Sequence, residues 1–286
     1  YAFDYGPVHF LVLDDVIWTG ATASRPGSYR GGLGRDQLEF IRQDLAHVPR
    51  NQLVVLLMHI PILEIEEREE LFRLLEDRPH TLSISAHTHI QRHLFLGPEQ
   101  GWRGRKPHHH FNSVTVCGSW WTGAPDERGI PHTTMRDGAP NGYSIVTFSG
   151  NRYTIEFCPA RRPASHQMNI YAPESITSAE SGQTPVLVNV FAGSERSKVE
   201  MRLGEKGNWI PMQRVDIEDP DYARLKEMER SDTPPPGRKL PEIIKSPHIW
   251  QATLPPNAPA GTHVIHVRTT DMFGKTYQDC RVIRIR

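Results

Sequence analysis

The stretch HTLSISAHTHIQRH, residues 80–93, places three histidines after the short apolar run from Thr81 to Ile84. A short apolar run of this kind is consistent with a β-strand. His87 and His89 then follow at the end of that strand, and because they are two residues apart, we expect their side chains to point to the same side. The stretch therefore predicts a strand whose carboxyl end carries a pair of imidazoles.

A second apolar run, QLVVLLMH, residues 52–59, also ends in a histidine. If the two runs are strands of one sheet, His59, His87 and His89 converge above its edge. Neutral imidazole is the commonest protein ligand for zinc and also suits iron and manganese. A single histidine at a strand end is more often an ordinary polar loop residue. The prediction of a metal site at these three residues therefore depends on their combination.

The rest of the chain divides by pattern near residue 160. Strand-like runs in residues 1–160 are interleaved with two helical patterns, at residues 34–49 and 64–77, which predicts an α/β domain. Residues 161–183 are interpreted as a linker. Short alternating runs separated by turn residues then fill residues 184–286, which predicts a small all-β sandwich.

Composition excludes some classes of function. The 33 Lys and Arg residues are balanced by 33 Asp and Glu residues, so no overall charge favours nucleic acid as a partner. No apolar run reaches the roughly 20 residues that span a bilayer. The widely spaced Cys117, Cys158 and Cys280 fit neither a disulfide framework nor a metal knuckle and are expected to be buried. The acidic pair Asp14-Asp15 is expected to cap a turn rather than to orient a ligating histidine.

Two blocks, MHIPI at residues 58–62 and SAHTH at residues 85–89, resemble the last two metal-binding blocks of the calcineurin-like metallophosphoesterases. The resemblance extends from YAFDYGPVHFLVLDDV at the start of the chain to DMFGKTYQD at residues 271–279. This arrangement is similar to a bacterial subgroup, typically exported, in which a β-rich domain follows the phosphoesterase domain. The resemblance implies that residues 1–160 are the C-terminal half of a two-sheet phosphoesterase sandwich.

The resemblance also implies roles for individual residues. His59 and His87 would ligate one divalent metal ion (Mn, Fe or Zn), and His89 would ligate a second. His108, His110 and Trp121 would contact the phosphoester substrate, although a solvated loop for the histidines and core packing for the tryptophan are equally compatible with the sequence. Ala86 stands where the family has glycine, which would strain the turn if its φ were positive.

Three other metal-binding blocks of the family, D-x-H, G-D-x-x-D and G-N-H, do not occur in these 286 residues. We therefore expect a fragment that is inactive alone, holds one metal ion at most and exposes an apolar face that a homodimer or a missing N-terminal segment covers. The intact protein is predicted to be a two-metal phosphoester hydrolase. The alternative is a non-catalytic binding module whose histidine site is vestigial or holds a single ion.

Overall fold

The computed structural model describes residues 1–286, apart from the side chain of Arg25. The chain forms two compact units, residues 1–114 with 145–156 and residues 115–144 with 157–286. β-Strands are the main regular structure in both units, so the predicted β-rich character is confirmed. The sequence places one boundary at residue 160, whereas the chain contacts divide it after residues 114, 144 and 156.

The first unit contains eight strands, two helices and part of a hairpin that it shares with the second unit. The strands are β1 (Ala2–Tyr5), β2 (Val8–Val12), β3 (Val16–Thr22), β4 (Arg25–Gly31), β5 (Leu53–Leu57), β6 (Thr81–Ser85), β7 (Arg92–Leu96) and β8 (His108–Asn112), the helices are α1 (Gly34–His47) and α2 (Arg68–Leu75), and the hairpin is formed by β9 (Gly142–Ser149) and β10 (Arg152–Pro159).

Six of these strands form one mixed sheet in the order β1-β2-β5-β6-β8-β7. The four central strands are parallel, and β1 and β7 pair antiparallel at the two edges. Both helices cover one face, where Ile41 and Leu71 pack with Val54 and Leu56 in a single core. Burial of this apolar stripe explains why helices form at both positions where the sequence predicts them.

The opposite face of the sheet carries exposed aromatic side chains near its β1 edge. Phe3 stacks on Phe10 with ring centroids 4.9 Å apart, and Phe10 meets Phe148 edge-on at 5.5 Å. Tyr1 and Phe3 remain 74% and 41% exposed. This part of the sheet therefore leaves apolar surface open to solvent.

The second unit contains a β-sandwich and one further helix. Its elements are β11 (Met168–Tyr171), β12 (Ser175–Ile176), β13 (Pro185–Val190), β14 (Lys198–Leu203), β15 (Ile210–Pro211), β16 (Gln213–Glu218), α3 (Pro220–Arg230), β17 (Lys245–Thr253), β18 (Gly261–Thr270) and β19 (Thr276–Ile285).

Two sheets, β11-β13-β17-β16 and β12-β19-β18-β14-β15, share one apolar core in this unit. Val188 and Trp250 contribute to the core from one sheet, and Ile265 and Ile283 contribute from the other. Within residues 161–183, where the sequence predicts a linker, the structure has strands β11 and β12, so this segment is part of the sandwich.

Two further expectations concern membrane spans and thiols. Among the described residues, no helix has the length and apolar character needed to cross a membrane. The expectation of buried thiols is wrong, since Cys117 and Cys280 are exposed and Cys158 is half-buried. All three lie in the second unit, Cys117 in a turn and Cys158 and Cys280 on strands.

Candidate metal centre

The turns after β5 and β6 lie side by side at one end of the sheet. These two strands pair in parallel, so their carboxyl ends meet at the same edge. The backbone pairing continues beyond the strands, where the amide of Ala86 donates to the carbonyl of His59 at 3.1 Å. The two apolar runs that are followed by His59 and His87 are therefore neighbouring strands.

This arrangement brings the imidazoles of His59 and His87 into contact. Nε2 of His59 lies 2.9 Å from Nδ1 of His87, and the rings meet at 70° with centroids 4.7 Å apart. Two nitrogens bound to one tetrahedral ion at ~2.0–2.1 Å lie about 3.3 Å apart. The 2.9 Å separation is that of a hydrogen bond between the two rings, and it lies within about 0.4 Å of the spacing at which both nitrogens could bind one ion.

His89 follows in the same turn as His87. Burial is the main cause that lowers the pKa of His87, and the nearby imidazoles of His59 and His89 lower it further. A lowered pKa keeps the imidazole of His87 neutral, which is the form that binds metal. Within the described residues, however, no group of three or more His, Cys, Asp or Glu side chains is arranged to hold an ion. The residues present therefore fit two donors of a larger ligand set.

Asp15 holds the backbone of the turn that carries His59. Its fully buried carboxylate accepts hydrogen bonds from the amides of His59 at 2.9 Å and Ile60 at 2.7 Å. Burial raises the pKa of this carboxyl, and the two backbone hydrogen bonds oppose that rise. The expected capping role of the Asp14-Asp15 pair thus belongs to Asp15.

The turn of residues 86–90, called the ligand turn below, has an unusual backbone. His87 and His89 both have positive φ, at 59° and 52°, whereas Ala86 is not among the residues with positive φ. Non-glycine residues adopt this left-handed region at a cost that the surroundings must offset. Alanine is therefore tolerated where the family has glycine, and the strain falls on the two histidines.

Tyr29 of β4 is a neighbour of this site that the sequence reading missed. Its ring meets the His87 ring edge-on with centroids 5.5 Å apart, and its hydroxyl lies 3.4 Å from Nε2 of His87. The residue is 48% exposed. No local motif marks it, because the contact depends on how the β3–β4 hairpin folds over the sheet edge.

His108 and His110 occupy the sheet interior. Both are fully buried, and all four of their ring nitrogens lie within 3.0 Å of hydroxyl groups of Thr81, Ser83 and Ser85. Burial lowers the pKa of each to about 3. Direct contact of these imidazoles with a substrate stays a prediction, and their burial argues against it.

Trp121 lies in the second unit, on a loop with a strained backbone. Trp120 and Trp121 have positive φ, at 54° and 60°, and they are 40% and 50% exposed. The amide of Trp121 donates to the carbonyl of Cys117 at 2.9 Å, which holds the loop in this conformation. Trp121 therefore presents half of its side chain to solvent rather than to a core.

These features define a β-rich protein with histidine-bearing turns at the carboxyl ends of parallel strands. Residues 110–277 match the family described as the C terminal of calcineurin-like phosphoesterase. The chain belongs to this family, as its sequence blocks suggested, and the match begins after the histidine turns.

Other comparisons add little. No curated protein matches the chain. Among solved structures, the chain is similar to CopC from Methylosinus trichosporium OB3b, with 10% identity, a TM-score of 0.23 and coverage of 41% of this chain and 88% of that one. It is also similar to superoxide reductase (neelaredoxin) from Ignicoccus hospitalis, with 14% identity, a TM-score of 0.24 and coverage of 42% and 81%.

Proposed function

We propose that the chain carries part of the metal site of a metal-dependent phosphoester hydrolase. The observation that supports this most directly is the 2.9 Å approach of His59 Nε2 to His87 Nδ1 at the carboxyl ends of two parallel strands. Family membership supports the class of reaction. His89, from the same turn as His87, is the third proposed ligand.

Divalent ions, if bound by these imidazoles, would supply acidification of a water molecule, orientation of the phosphate and stabilisation of the entering and leaving oxygens. The contribution of this chain is to present imidazoles from the carboxyl ends of two paired strands. Asp15 fixes the backbone at His59, and Tyr29 packs against the ring of His87. Both contacts restrict the directions in which the two rings can point.

The proposal also covers the domain that carries the site. The first unit is interpreted as the C-terminal half of a two-sheet phosphoesterase sandwich, in an exported bacterial protein. The solvent-exposed Tyr1 and Phe3 on the face opposite the helices support association of that face with further polypeptide, such as a second copy.

Metal counting tests the site. The protein is stripped with chelator, reloaded separately with manganese and with zinc, and bound metal per chain is measured by elemental mass spectrometry. His59→Ala and His87→Ala are expected to lower the metal content, whereas His47→Ala, which removes an exposed imidazole at the end of α1, leaves it unchanged. Equal metal content in all three variants would refute the site.

A second candidate function is a non-catalytic binding module that holds a single ion. It is favoured by the lack of a three-donor cluster within the described part of the chain. Two ions per chain with hydrolysis of a generic aryl phosphate in the same experiment would support the hydrolase and contradict the binding module. One ion without hydrolysis agrees with both functions, because a partial hydrolase site is expected to behave in the same way.

A further inference from the structure

Six polar side chains of β6 and β8 form a continuous line on the helix-covered face of the sheet. We call them the Ser–His ladder, and they are Thr81, Ser83, Ser85, His108, His110 and Asn112. The two strands pair in parallel with Ser83 opposite His110 and Ser85 opposite Asn112. Alternate residues of each strand share a face, so the serines of one strand lie beside the imidazoles of the other.

Each member of the ladder contacts the next within hydrogen-bonding distance. His108 lies 2.8 Å from both Thr81 Oγ1 and Ser83 Oγ, and His110 lies 2.7 Å from Ser83 Oγ and 3.0 Å from Ser85 Oγ. Ser85 Oγ is also 3.1 Å from Oδ1 of Asn112. One chain of hydrogen bonds therefore runs the length of the two strands.

The direction of this chain follows from its last member. The side-chain amide of Asn112 faces the carbonyl oxygen of Ile90, which can only accept, so Nδ2 lies on that side and Oδ1 faces Ser85. Ser85 must therefore donate its single proton to Asn112. It then accepts from Nε2 of His110.

The remaining roles are fixed in turn. His110 is neutral and donates from Nε2, so its Nδ1 accepts the hydroxyl proton of Ser83. Ser83 in turn accepts from Nε2 of His108, whose Nδ1 accepts from Thr81. Both imidazoles are thus assigned the Nε2–H tautomer, and every donor points toward the ligand turn.

Burial of the polar side chains of the ladder is unfavourable in free energy. Its residues lie in the layer where Val54, Leu56 and Trp102 form the apolar core, and burying hydroxyl and imidazole groups there is unfavourable unless each is hydrogen-bonded. The pairing of β6 with β8 is made by the backbone and does not require these side chains. A fully satisfied polar line in an apolar layer points to a role beyond holding the strands together.

The end of the ladder indicates that role. Nδ2 of Asn112 donates to Oγ1 of Thr88 at 2.8 Å and to the carbonyl of Ile90, and these two residues flank His89. The ligand turn needs such support, because His87 and His89 are both held at positive φ. We propose that the Ser–His ladder positions the ligand turn, with Asn112 as the positioning residue that fixes its backbone. The inference rests on the proposed metal site and concerns how that site keeps its shape.

Two measurements on the metal-free protein test the ladder itself. Long-range ¹H–¹⁵N correlation spectra should assign His108 and His110 to the neutral Nε2–H tautomer; an Nδ1–H tautomer at either residue would overturn the assignment. Hydrogen exchange of peptides covering residues 86–91 reports the rigidity of the turn. Thr88→Val removes one of the two acceptors of Asn112 Nδ2, and Thr88→Ser keeps it, so exchange should accelerate about tenfold in the first and less than about twofold in the second.

Cobalt binding then tests the consequence for the ligands. Loss of a group that orients metal ligands typically weakens metal binding by about 10- to 100-fold. We expect Thr88→Val to weaken Co²⁺ binding by about tenfold or more and to alter the visible absorption band of bound Co²⁺, while Thr88→Ser preserves both. Thr88 is half-buried, so both variants should fold, and far-UV circular dichroism checks this.

The outcomes separate the two proposals. If the unaltered protein binds no Co²⁺, the metal site is refuted, and the ladder is judged by the exchange of residues 86–91 alone. If Thr88→Val and Thr88→Ser behave alike in both exchange and Co²⁺ binding, the ladder does not position the turn. Asn112→Asp keeps an acceptor for Ser85 but loses the donors to both Thr88 and Ile90, so it should accelerate exchange and weaken Co²⁺ binding at least as much as Thr88→Val.

Discussion

Asp15 supports the site through the backbone and is not itself a proposed metal ligand. Its carboxylate is buried and caps the amides of His59 and Ile60, so the ring of His59 is positioned through the backbone. Asp14, its neighbour, has an exposed side chain. The two acids lie in the link between β2 and β3, where Asp15 is buried and Asp14 is exposed, so two identical residues acquire different roles.

The first prediction compares these neighbours. Asp15→Ala leaves two amides without their acceptor and should lower the free energy of unfolding by roughly 1–3 kcal/mol. Asp14→Ala should change it by less than about 0.5 kcal/mol. Urea unfolding followed by fluorescence measures both. An equal effect of the two substitutions would contradict the capping role.

Much of the site's backbone could be predicted at this scale, because MHIPI and SAHTH each end a strand. The proximity of His59 and His87 follows once those strands are neighbours. The burial of His108 and His110 could not be foreseen, because it depends on the register between β6 and β8, which no local pattern encodes. Tyr29 was missed for a similar reason, since it comes from a hairpin with no motif of its own.

The pairing of β6 with β8 buries two imidazoles and thereby makes stability depend on pH. His108 and His110 are neutral in the folded protein down to about pH 3, whereas both titrate near pH 6.5 once the chain unfolds. Between these values the unfolded state binds more protons than the folded state. Stability must therefore fall as the pH falls.

The second prediction concerns the change of the unfolding free energy with pH. Each of the two imidazoles should contribute about 1.4 kcal/mol of lost stability per pH unit below pH 6.5. His108→Leu should therefore reduce the pH dependence of the unfolding free energy by about that amount, while His47→Leu, at an exposed position, leaves it nearly unchanged. Urea titrations at about pH 5 and about pH 6 are sufficient. An unchanged slope in His108→Leu would show that His108 is protonated in the folded state.

Helix α3 was not predicted, although its start carries a recognisable signal. Asp219 precedes Pro220, and its carboxylate accepts from the amide of Tyr222 at 2.9 Å as a helix N-cap. The same carboxylate accepts from Tyr171 at 2.8 Å and Asn189 at 2.7 Å. The helix has eleven residues and lies between segments with alternating strand patterns, which is why it was not predicted. The buried Asp219 anchors its start.

The third prediction concerns this anchor. Asp219→Ala removes the cap and leaves two buried donors without an acceptor, so it should lower the unfolding free energy by roughly 2–4 kcal/mol. Asp221→Ala, two residues later in the first turn of α3, should cost less than about 1 kcal/mol because its side chain is 47% exposed. Thermal unfolding by calorimetry compares the two. Similar losses would mean that the helix dipole, rather than the buried network, carries the effect.

The chain passes between its two units three times, after residues 114, 144 and 156. The first unit is incomplete without residues 145–156, where the Tyr153 hydroxyl contacts Nδ1 of His109 at 2.7 Å. The sequence pattern gave no sign of this interleaving, because period and composition describe neighbours along the chain and not the order in which segments pack. A single boundary near residue 160 was the natural expectation from such patterns.

The fourth prediction tests the interleaving with two polypeptides. Residues 1–114 alone lack the hairpin strands that cover Phe10 and His109, so they should aggregate or exchange amide hydrogens rapidly. Residues 1–160 include the hairpin and should be the more protected of the two. Light scattering and hydrogen exchange distinguish them. Equal protection in both polypeptides would show that the hairpin is dispensable to the first unit.

The same interleaving has a consequence for the order of events during synthesis. Residues 115–144 emerge from the ribosome before residues 145–156, although the latter complete the unit that was started first. The first unit therefore cannot finish folding until residues 145–156 have left the ribosome, whereas domains that are continuous in sequence can each fold as soon as they emerge. Until residues 145–156 emerge, the apolar face of its sheet stays open to solvent. In that interval the nascent chain most needs protection by chaperones.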